Sequence, residues 1–263
     1  MYQNPHHCVS VNEHRAVISA FFILAGVLTL VIIGMFTLAF AFSSVSPSSA
    51  EVADRFATIK PEDSPEGTHY VSQGDQLDIF YRVDEDVYTK GSCTIAATGV
   101  DQNGLTTILT ARHCISDENL ARIEIGSWSG DFDILTPTSD ADYMFIRVHG
   151  AVGIGGSQSI QRDTPRGITS VCRQGLDGPR EIVCGRAWIW EEKYVSTADC
   201  HFGDSGGPLT STDRSELVGV VSALVTPRPG IRLCRSVPTA TIVEDIEAGR
   251  VAGLTQFTLT EAG

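Results

Sequence analysis

The hydrophobic positions of this chain fall into two regions with different patterns. Residues 16–42 form one unbroken run of 27 positions without a charged side chain. From about Thr68 onward, short apolar segments are separated by turn residues, as in Leu77–Val83, Leu105–Thr110, Tyr143–Val148 and Leu217–Val225. A long continuous run is typical of a membrane-spanning helix, whereas short separated runs are typical of β-strands. The pattern therefore predicts one transmembrane helix followed by an all-β domain at residues 68–263.

The apolar run is long enough to cross a bilayer. At ~1.5 Å per residue a helix over 16–42 would reach about 40 Å, against a hydrocarbon core of ~30 Å. We expect a signal-anchor helix at 16–42, a cytoplasmic tail at 1–15 and a linker at 43–67, which is rich in Ser, Pro and acidic residues. The alternative is a signal peptide cleaved after the small residues 48–50, which would make the protein secreted.

Two local signals refine the all-β prediction. The sequence Asp101-Gln102-Asn103-Gly104 lies between two apolar segments, and Asn-Gly supplies the positive φ angles that a tight hairpin needs. Near the end, Thr241 and Glu244 have the spacing of a capping box, and Gly249 is a suitable helix stop. We expect one hairpin and one short C-terminal helix at these places.

Composition and charge exclude several classes of function. The 263 residues carry a formal net charge of −13, and the calculated pI is about 4.9. Nucleic-acid binding requires clustered Lys and Arg, so no nucleic-acid partner is expected. The glycines at 150–156 lack the strand and helix that flank a phosphate loop. We expect no cofactor and no metal, and the sequence leaves the oligomeric state open.

The cysteines indicate disulfide bonds. Cys8 precedes the apolar run, and six cysteines follow it, at Cys93, Cys114, Cys172, Cys184, Cys200 and Cys234. An even number downstream of a membrane segment favours disulfides and an oxidising compartment, although six cysteines allow about 15 pairings. The large C-terminal part is therefore expected on the outer face of a cell membrane.

Two short motifs carry candidate chemistry. Ser205 lies in the glycine-rich turn Gly203–Pro208, which leaves its hydroxyl approachable. A serine hydroxyl is a weak nucleophile unless a base accepts its proton, and His113 in Thr110–Cys114 follows an apolar segment where such a base could be held. The two motifs together predict nucleophilic catalysis by Ser205 with His113 as general base.

These motifs resemble those of the chymotrypsin-like, or trypsin-like, serine protease family, and the compact bacterial members are the most similar. The likeness extends over roughly residues 91–248 and includes the order His, Asp, Ser. It implies two packed antiparallel β-barrels with the active site between them. The family's acid opens a strand, and this resemblance assigns the role to Asp142, with Asp140 as the alternative.

The same resemblance assigns supporting groups. It implies an oxyanion hole made by the backbone N–H groups of Gly203 and Ser205. It places Ala198 and Asp199 near the base of the specificity pocket, and Ser222, Ala223 and Leu224 along the edge that pairs with a substrate backbone. Leu224 stands where many members have Gly, and Cys200 lies one residue farther from Ser205 than usual, so substrate preference stays open.

The resemblance also implies which cysteines pair and what remains unpaired. It joins Cys93 to Cys114, Cys172 to Cys184 and Cys200 to Cys234, and leaves Cys8 alone. The chain has no recognisable activation junction, so Asp204 needs a partner other than a new amino terminus. Two kinds of partner stay open: an internal arginine, as in the compact bacterial relatives, which the sequence does not single out, or backbone groups that hydrogen-bond to Asp204.

The sequence predicts a serine endopeptidase whose partners are a protein or peptide substrate and, through residues 16–42, a membrane. The alternative is a catalytically silent binding domain on the cell surface that keeps the protease fold. The presence of His113, Asp142 and Ser205 together favours the enzyme, because silent relatives usually lose the serine or the histidine.

Overall fold

The computed structural model describes residues 69–259 except 86, 116–118, 151, 156–157, 165–166 and 176–181. The chain divides into two units, Met1–Arg55 and Phe56–Gly263, and every described residue belongs to the second. The predictions for 1–15, 16–42, 43–67 and Cys8 lie outside the described residues. Within the described part, no helix is both long and apolar enough to cross a bilayer.

The first half of the described chain is built from short strands whose side chains alternate between core and solvent. In β2, for example, Leu77 and Ile79 are buried while their neighbours are not. The strands of this half are β1 (His69–Val71), β2 (Gln76–Asp84), β3 (Val87–Thr94), β4 (Ala97–Asp101), β5 (Thr106–Thr110), β6 (Leu120–Ile125), β7 (Phe132–Leu135), β8 (Met144–Val148) and β9 (Val152–Ile154). The predicted hairpin joins β4 to β5, and the Asp101 carboxylate accepts from the backbone N–H groups of Asn103 and Leu105.

The second half contains a closed β-barrel. Its strands are β10 (Ser159–Ile160), β11 (Thr169–Gln174), β12 (Ile182–Trp190), β13 (Lys193–Ser196), β14 (Pro208–Ser211), β15 (Glu216–Arg228) and β16 (Ile231–Pro238). The sheet runs β10-β15-β14-β11-β12-β13-β16, and β15 also pairs with β16, which closes the ring. All neighbours in the ring are antiparallel.

The strands of the first half form separate sheets instead of one closed ring. Its strands form a three-stranded sheet, β3-β2-β6, a five-stranded sheet, β17-β4-β5-β8-β7, and a parallel two-stranded sheet, β1-β9. Strand β17 is Phe257–Leu259 near the C-terminus. The first two of these sheets contribute to one core, with Leu77 and Ile79 from the first packing with Ile108 and Ile146 from the second. The described residues thus give a mostly-β fold with one closed barrel and two sheets around a second core.

One helix, α1 (Thr239–Glu247), follows the barrel, as predicted. It begins two residues before the predicted Thr241, and the capping-box prediction was wrong. Its N-cap is Pro238, which makes no side-chain cap, because β16 runs directly into the helix. Gly249 does end the helix region: its φ is 68° and its N–H donates to the carbonyl of Ile246 at 3.0 Å.

Candidate active site

The candidate residues meet where the first half of the described chain contacts the barrel. Thr94, fully buried at the end of β3, makes three hydrogen bonds, two of which go to the glycine-rich turn. Its hydroxyl donates to the Gly203 carbonyl at 2.7 Å, and its N–H donates to the Ser205 carbonyl at 2.8 Å. Its own carbonyl accepts from the Thr110 hydroxyl at 2.9 Å. Thr94 therefore connects the turn of Ser205 to the strand that leads to His113.

The turn around Ser205 depends on glycine. Gly203 and Gly206 have φ values of 99° and 81°, which other residues rarely adopt. A Cβ on Gly206 would lie 2.0 Å from the Thr110 hydroxyl and 2.5 Å from the Thr94 carbonyl oxygen. The backbone thus approaches the first half so closely that a side chain at this position is excluded.

His113 lies in a short 3-10 helix (Arg112–Cys114) directly after β5, and it contacts the predicted acid. Its ring Nδ1 is 2.8 Å from Asp142 Oδ2, and its backbone N–H donates to Asp142 Oδ1 at 3.0 Å. The Ser222 hydroxyl also donates to Asp142 Oδ2, at 2.6 Å. The structure therefore brings Asp142, and not the exposed Asp140, to the histidine.

The surroundings of Asp142 keep it ionised. Burial by itself would raise the pKa of Asp142, but hydrogen bonds from the His113 ring and the Ser222 hydroxyl, the charge of His113 and its backbone N–H lower that pKa to about 2. An ionised carboxylate on Nδ1 directs the other ring nitrogen, Nε2, outward as a proton acceptor. The pair has the electrostatic arrangement of a general base and its orienting group.

Ser205 lies beside this pair, although it is not hydrogen-bonded to it. Its carbonyl oxygen is 3.8 Å from the sulfur of Cys114, the residue after His113. Within the part of the chain that the structure describes, no hydrogen bond joins the Ser205 hydroxyl to His113. In the same part, the Gly203 and Ser205 N–H groups donate to no protein acceptor, so both are available to an oxyanion.

Neither a protein-family model nor a curated protein matches the chain. Among solved structures, protease A of Thermobifida fusca superposes with a TM-score of 0.50 at 19% identity, over 72% of this chain and 99% of that one. The protease of Nocardiopsis superposes with a TM-score of 0.46 at 17% identity, over 66% of this chain and 96% of that one. The described domain has a chymotrypsin-like protease fold. At this identity the likeness establishes the fold, and the activity must be argued from the chain's own residues.

A disulfide bond holds the motif of His113, and two of the three implied bridges form. Cys93 is bonded to Cys114, next to His113, and Cys172 is bonded to Cys184 across β11 and β12. The implied bridge between Cys200 and Cys234 is wrong for this structure, because both are buried free thiols. They lie in one small cluster with Val221.

The partner of Asp204 is Arg173 on β11. Its Nη1 lies 2.7 Å from Asp204 Oδ2, and both side chains are 1% exposed or less. Arg173 Nε also donates to the Asp199 carbonyl, so the guanidinium joins both ends of the segment before Ser205. The sequence offers an internal arginine as a partner of Asp204 but does not indicate Arg173, because only the pairing of β11 in the barrel brings Arg173 close to Asp204.

Several of the predicted pocket residues are already in contact with other groups of the chain. Ala198 is fully buried, and the Asp199 carboxylate is already paired, with Arg232 Nε at 3.3 Å and with His201 Nε2 at 3.7 Å. The Cys200 sulfur contacts the Ala223 carbonyl at 3.9 Å, and Leu224 packs on the cluster of Cys200. The Asp199 carboxylate is therefore already engaged with cationic groups of the chain itself.

Ser222 has a role that the sequence did not suggest. The resemblance assigns it to the substrate-binding edge, but its buried hydroxyl is turned to Asp142.

No group of three or more His, Cys, Asp or Glu side chains in the described residues is arranged to hold a metal ion.

Proposed function

We propose that this chain is a serine endopeptidase, tethered to the outer face of a membrane, that hydrolyses peptide bonds through Ser205, His113 and Asp142. The observation that carries the proposal is the 2.8 Å contact between His113 Nδ1 and Asp142 Oδ2, beside a glycine turn that presents Ser205 and two unused N–H donors. The fold shared with Thermobifida fusca protease A supports it.

The reaction would proceed in two stages, formation of an acyl-enzyme and its hydrolysis. The Ser205 Oγ forms a bond to the substrate carbonyl carbon while its proton passes to His113 Nε2, and the carbonyl oxygen becomes an oxyanion facing the Gly203 and Ser205 N–H groups. The C–N bond then breaks, and the amine leaves with the proton from His113. Water attacks the acyl-enzyme by the same route, which releases the acid and restores Ser205.

Asp142 supports both stages of the reaction without changing its own charge. The imidazolium that forms on His113 is stabilised by a carboxylate whose pKa is about 2, so no proton moves from His113 to Asp142 near neutral pH. Ser222 and the His113 backbone N–H fix the two carboxylate oxygens before the reaction begins.

A fluorophosphonate probe tests the enzyme directly. We expect the full-length protein to label, Ser205→Ala to remain unlabelled, and Ser170→Ala, a change at an exposed serine on β11, to label like the wild type. The alternative function is a protease-fold domain that binds peptides without cutting them, and it is favoured by the missing hydrogen bond between His113 and Ser205. Folded wild-type protein that never labels would favour that alternative.

The location is a separate part of the proposal. It is supported by the 27-residue apolar run at 16–42 and by two disulfides, which persist in oxidising compartments. Extraction of membranes with alkaline carbonate should leave the full-length protein in the pellet. Release into the supernatant would contradict the tether and leave the enzymatic proposal intact.

A further inference from the structure

Strand β15 continues past its neighbour β14 and ends in a two-residue turn that leads into β16. Its pairing with β14 ends at Val220, whereas its pairing with β16 continues to Arg228 and Ile231. Pro229 and Gly230 make the turn, and Gly230 has a φ of 81°, which glycine adopts freely in a Pro-Gly turn. This hairpin therefore extends beyond the rest of the ring.

One edge of the hairpin starts beside Ser205 and has no strand partner among the described residues. Val221 is bound to the serine turn on both sides: its N–H donates to the Gly207 carbonyl at 2.9 Å, and its carbonyl accepts from the Gly206 N–H at 2.7 Å. The backbone of residues 223–228 then forms the free edge, which we define by this range. An extended peptide that lies at Ser205 can continue along the free edge as an added strand.

The direction and length of the free edge fix which part of a peptide reaches its far end. Both strands that flank β15 here are antiparallel to it. An antiparallel peptide runs from the turn toward Ser205, so its residues near Arg228 precede the cleaved bond. The six steps from Ser222 to Arg228 correspond to about 20 Å at ~3.3 Å per residue. Arg228 therefore meets a side chain about five to seven residues before the cut.

The hairpin is cationic, although the chain as a whole is acidic. The sequence from 217 to 243 contains three arginines, Arg228, Arg232 and Arg235, and no Asp or Glu, whereas the whole chain has a net charge of −13. Arg232 is engaged, because its Nε lies 3.3 Å from Asp199 Oδ1. The other two are exposed and, within the described part of the chain, have neither an ion pair nor a hydrogen bond. The hairpin thus carries two uncompensated positive charges.

Both of these arginines lie beside the path of an added strand. Arg228 ends the free edge, and Arg235 lies on β16 opposite Ala223, which begins it. Pro227 has no backbone N–H, so recognition at the outer end depends on side chains more than on backbone pairing. A guanidinium has only donors and binds carboxylates with pairs of them, so its preferred neighbour is Asp or Glu.

We propose that the β15–β16 hairpin is a substrate-binding site that selects acidic residues N-terminal to the cleaved bond. Arg228 is the main contact, about five to seven residues before the cut, and Arg235 is a second contact nearer to the cut. The inference rests on the proposed function, because it names the substrate class of the same site. The net negative charge of the chain repels acidic peptides, so a preference for them has to come from the hairpin.

The test compares two pools of peptides with full-length protein. Each peptide ends in an aminocoumarin amide, four randomised residues precede this scissile amide, and either three Glu or three Gln precede those. The three fixed residues are then the ones that reach Arg228. The wild type should cleave the Glu pool at least about threefold faster at low ionic strength, and about 1 M salt should remove most of this advantage because exposed charges are screened.

Variants of Arg228 assign the preference to the hairpin. Arg228→Gln should lower the ratio of the Glu rate to the Gln rate about two- to threefold, and Arg228→Glu should bring the ratio below one. Arg82→Gln and Arg82→Glu are the matched controls, because Arg82 is an exposed arginine of β2 without an ion pair, and they should keep the wild-type ratio. A wild-type ratio of about one, or a ratio that Arg228→Glu leaves unchanged, overturns the inference.

A binding measurement separates this inference from the proposed function. Full-length Ser205→Ala should bind fluorescein-labelled Glu peptides more tightly than the Gln peptides, as measured by fluorescence anisotropy, and adding Arg228→Glu should abolish the difference. Equal binding of the two pools would contradict the hairpin site whether or not the wild type cleaves them. Folded wild-type protein that cleaves neither pool, while Ser205→Ala still prefers the Glu peptides, would contradict only the proposed hydrolysis.

Discussion

Asp142 is the residue on which the candidate site depends most, because it receives three hydrogen bonds and orients the base. Asp142→Asn would remove the negative charge and place an amide where Nδ1–H requires an acceptor. We expect the rate of labelling or peptide hydrolysis to fall about 10⁴-fold. Asp140→Asn, at an exposed residue, should change it less than about twofold. A larger loss at Asp140 would show that the acid was assigned wrongly.

The low pKa of Asp142 also makes a prediction about stability. The folded pKa is about 2 and lies below the unfolded value near 4, so the carboxylate contributes stability that is fully present above about pH 4. This contribution is lost as the pH falls toward about 2. Urea unfolding of wild type and Asp142→Asn, from about pH 5 to about pH 2, should show midpoints that converge as the pH falls. A constant difference across this range would contradict the assignment.

Residues with a local signal could be predicted from the sequence, and residues defined by tertiary packing could not. His113, Asp142 and Ser205 each adjoin a strand or a glycine turn that is visible in the sequence. Arg173 has no such signal, because it reaches Asp204 only through the pairing of β11 with β14. The contact of Ser222 with Asp142 likewise joins residues 80 positions apart.

At the scale of elements, helix α1 holds the segment that contains Asp142 through one of its side chains, Asp245. Asp245 in this helix is buried and accepts from the Tyr143 and Ser139 hydroxyls, both at 2.7 Å, and from Arg250 Nε at 2.6 Å. Burial and the hydrogen bond to Asp245 raise the pKa of Tyr143, which therefore remains a donor. The helix thus fixes the segment 139–143, in which Asp142 lies.

Removing one of these donors should weaken both stability and the site. Tyr143→Phe leaves a buried carboxylate one hydrogen bond short, so the free energy of unfolding should fall by about 1.5–3 kcal/mol. The labelling rate should fall several-fold, because the segment that holds Asp142 loosens. Tyr88→Phe, at an exposed tyrosine of β3, is the control and should change the free energy of unfolding by less than about 0.5 kcal/mol. Equal effects of the two changes would contradict this role of α1.

The positions of the strands and of the helix agree with the sequence pattern, whereas the start of helix α1 differs from the predicted one. The β4–β5 hairpin forms because Gly104 has a φ of 75° and Asp101 caps the turn, which are local effects. The start of α1 is determined by a tertiary contact. The Thr239 hydroxyl donates to the carbonyls of Gln161 and Leu217, and this holds the chain at the helix start. Thr241 and Glu244 therefore lie inside the helix instead of at its cap.

At the scale of the whole molecule, the chain crosses repeatedly between the two halves. A single core joins Leu109 and Phe145 of the first half to Val220 of the barrel and Ile242 of α1. After the helix, β17 returns to pair with β4 in the first half. The candidate site lies along this shared surface, where Thr94 contacts the Ser205 turn, so its geometry should depend on the folding of both halves together.

The cysteines give a prediction for the full chain. Seven cysteines and the two bridges of the described residues leave three thiols, two of them at Cys200 and Cys234. The interaction with Cys200 and burial raise the pKa of Cys234, and a thiol alkylates only as its thiolate. Cys200 is buried, so the reagent reaches it poorly. Native protein prepared without oxidant should therefore react slowly with N-ethylmaleimide at both positions, and denatured protein should react at three cysteines.

Mild oxidation should then separate a thiol pair from isolated thiols. Because Cys200 and Cys234 lie in the same small cluster, diamide should join them without unfolding and reduce the number of alkylated cysteines from three to one. Cys200→Ala should leave two alkylated cysteines with or without diamide. A count of one in denatured protein that has never met an oxidant would mean that the bridge implied by the protease resemblance forms in this chain.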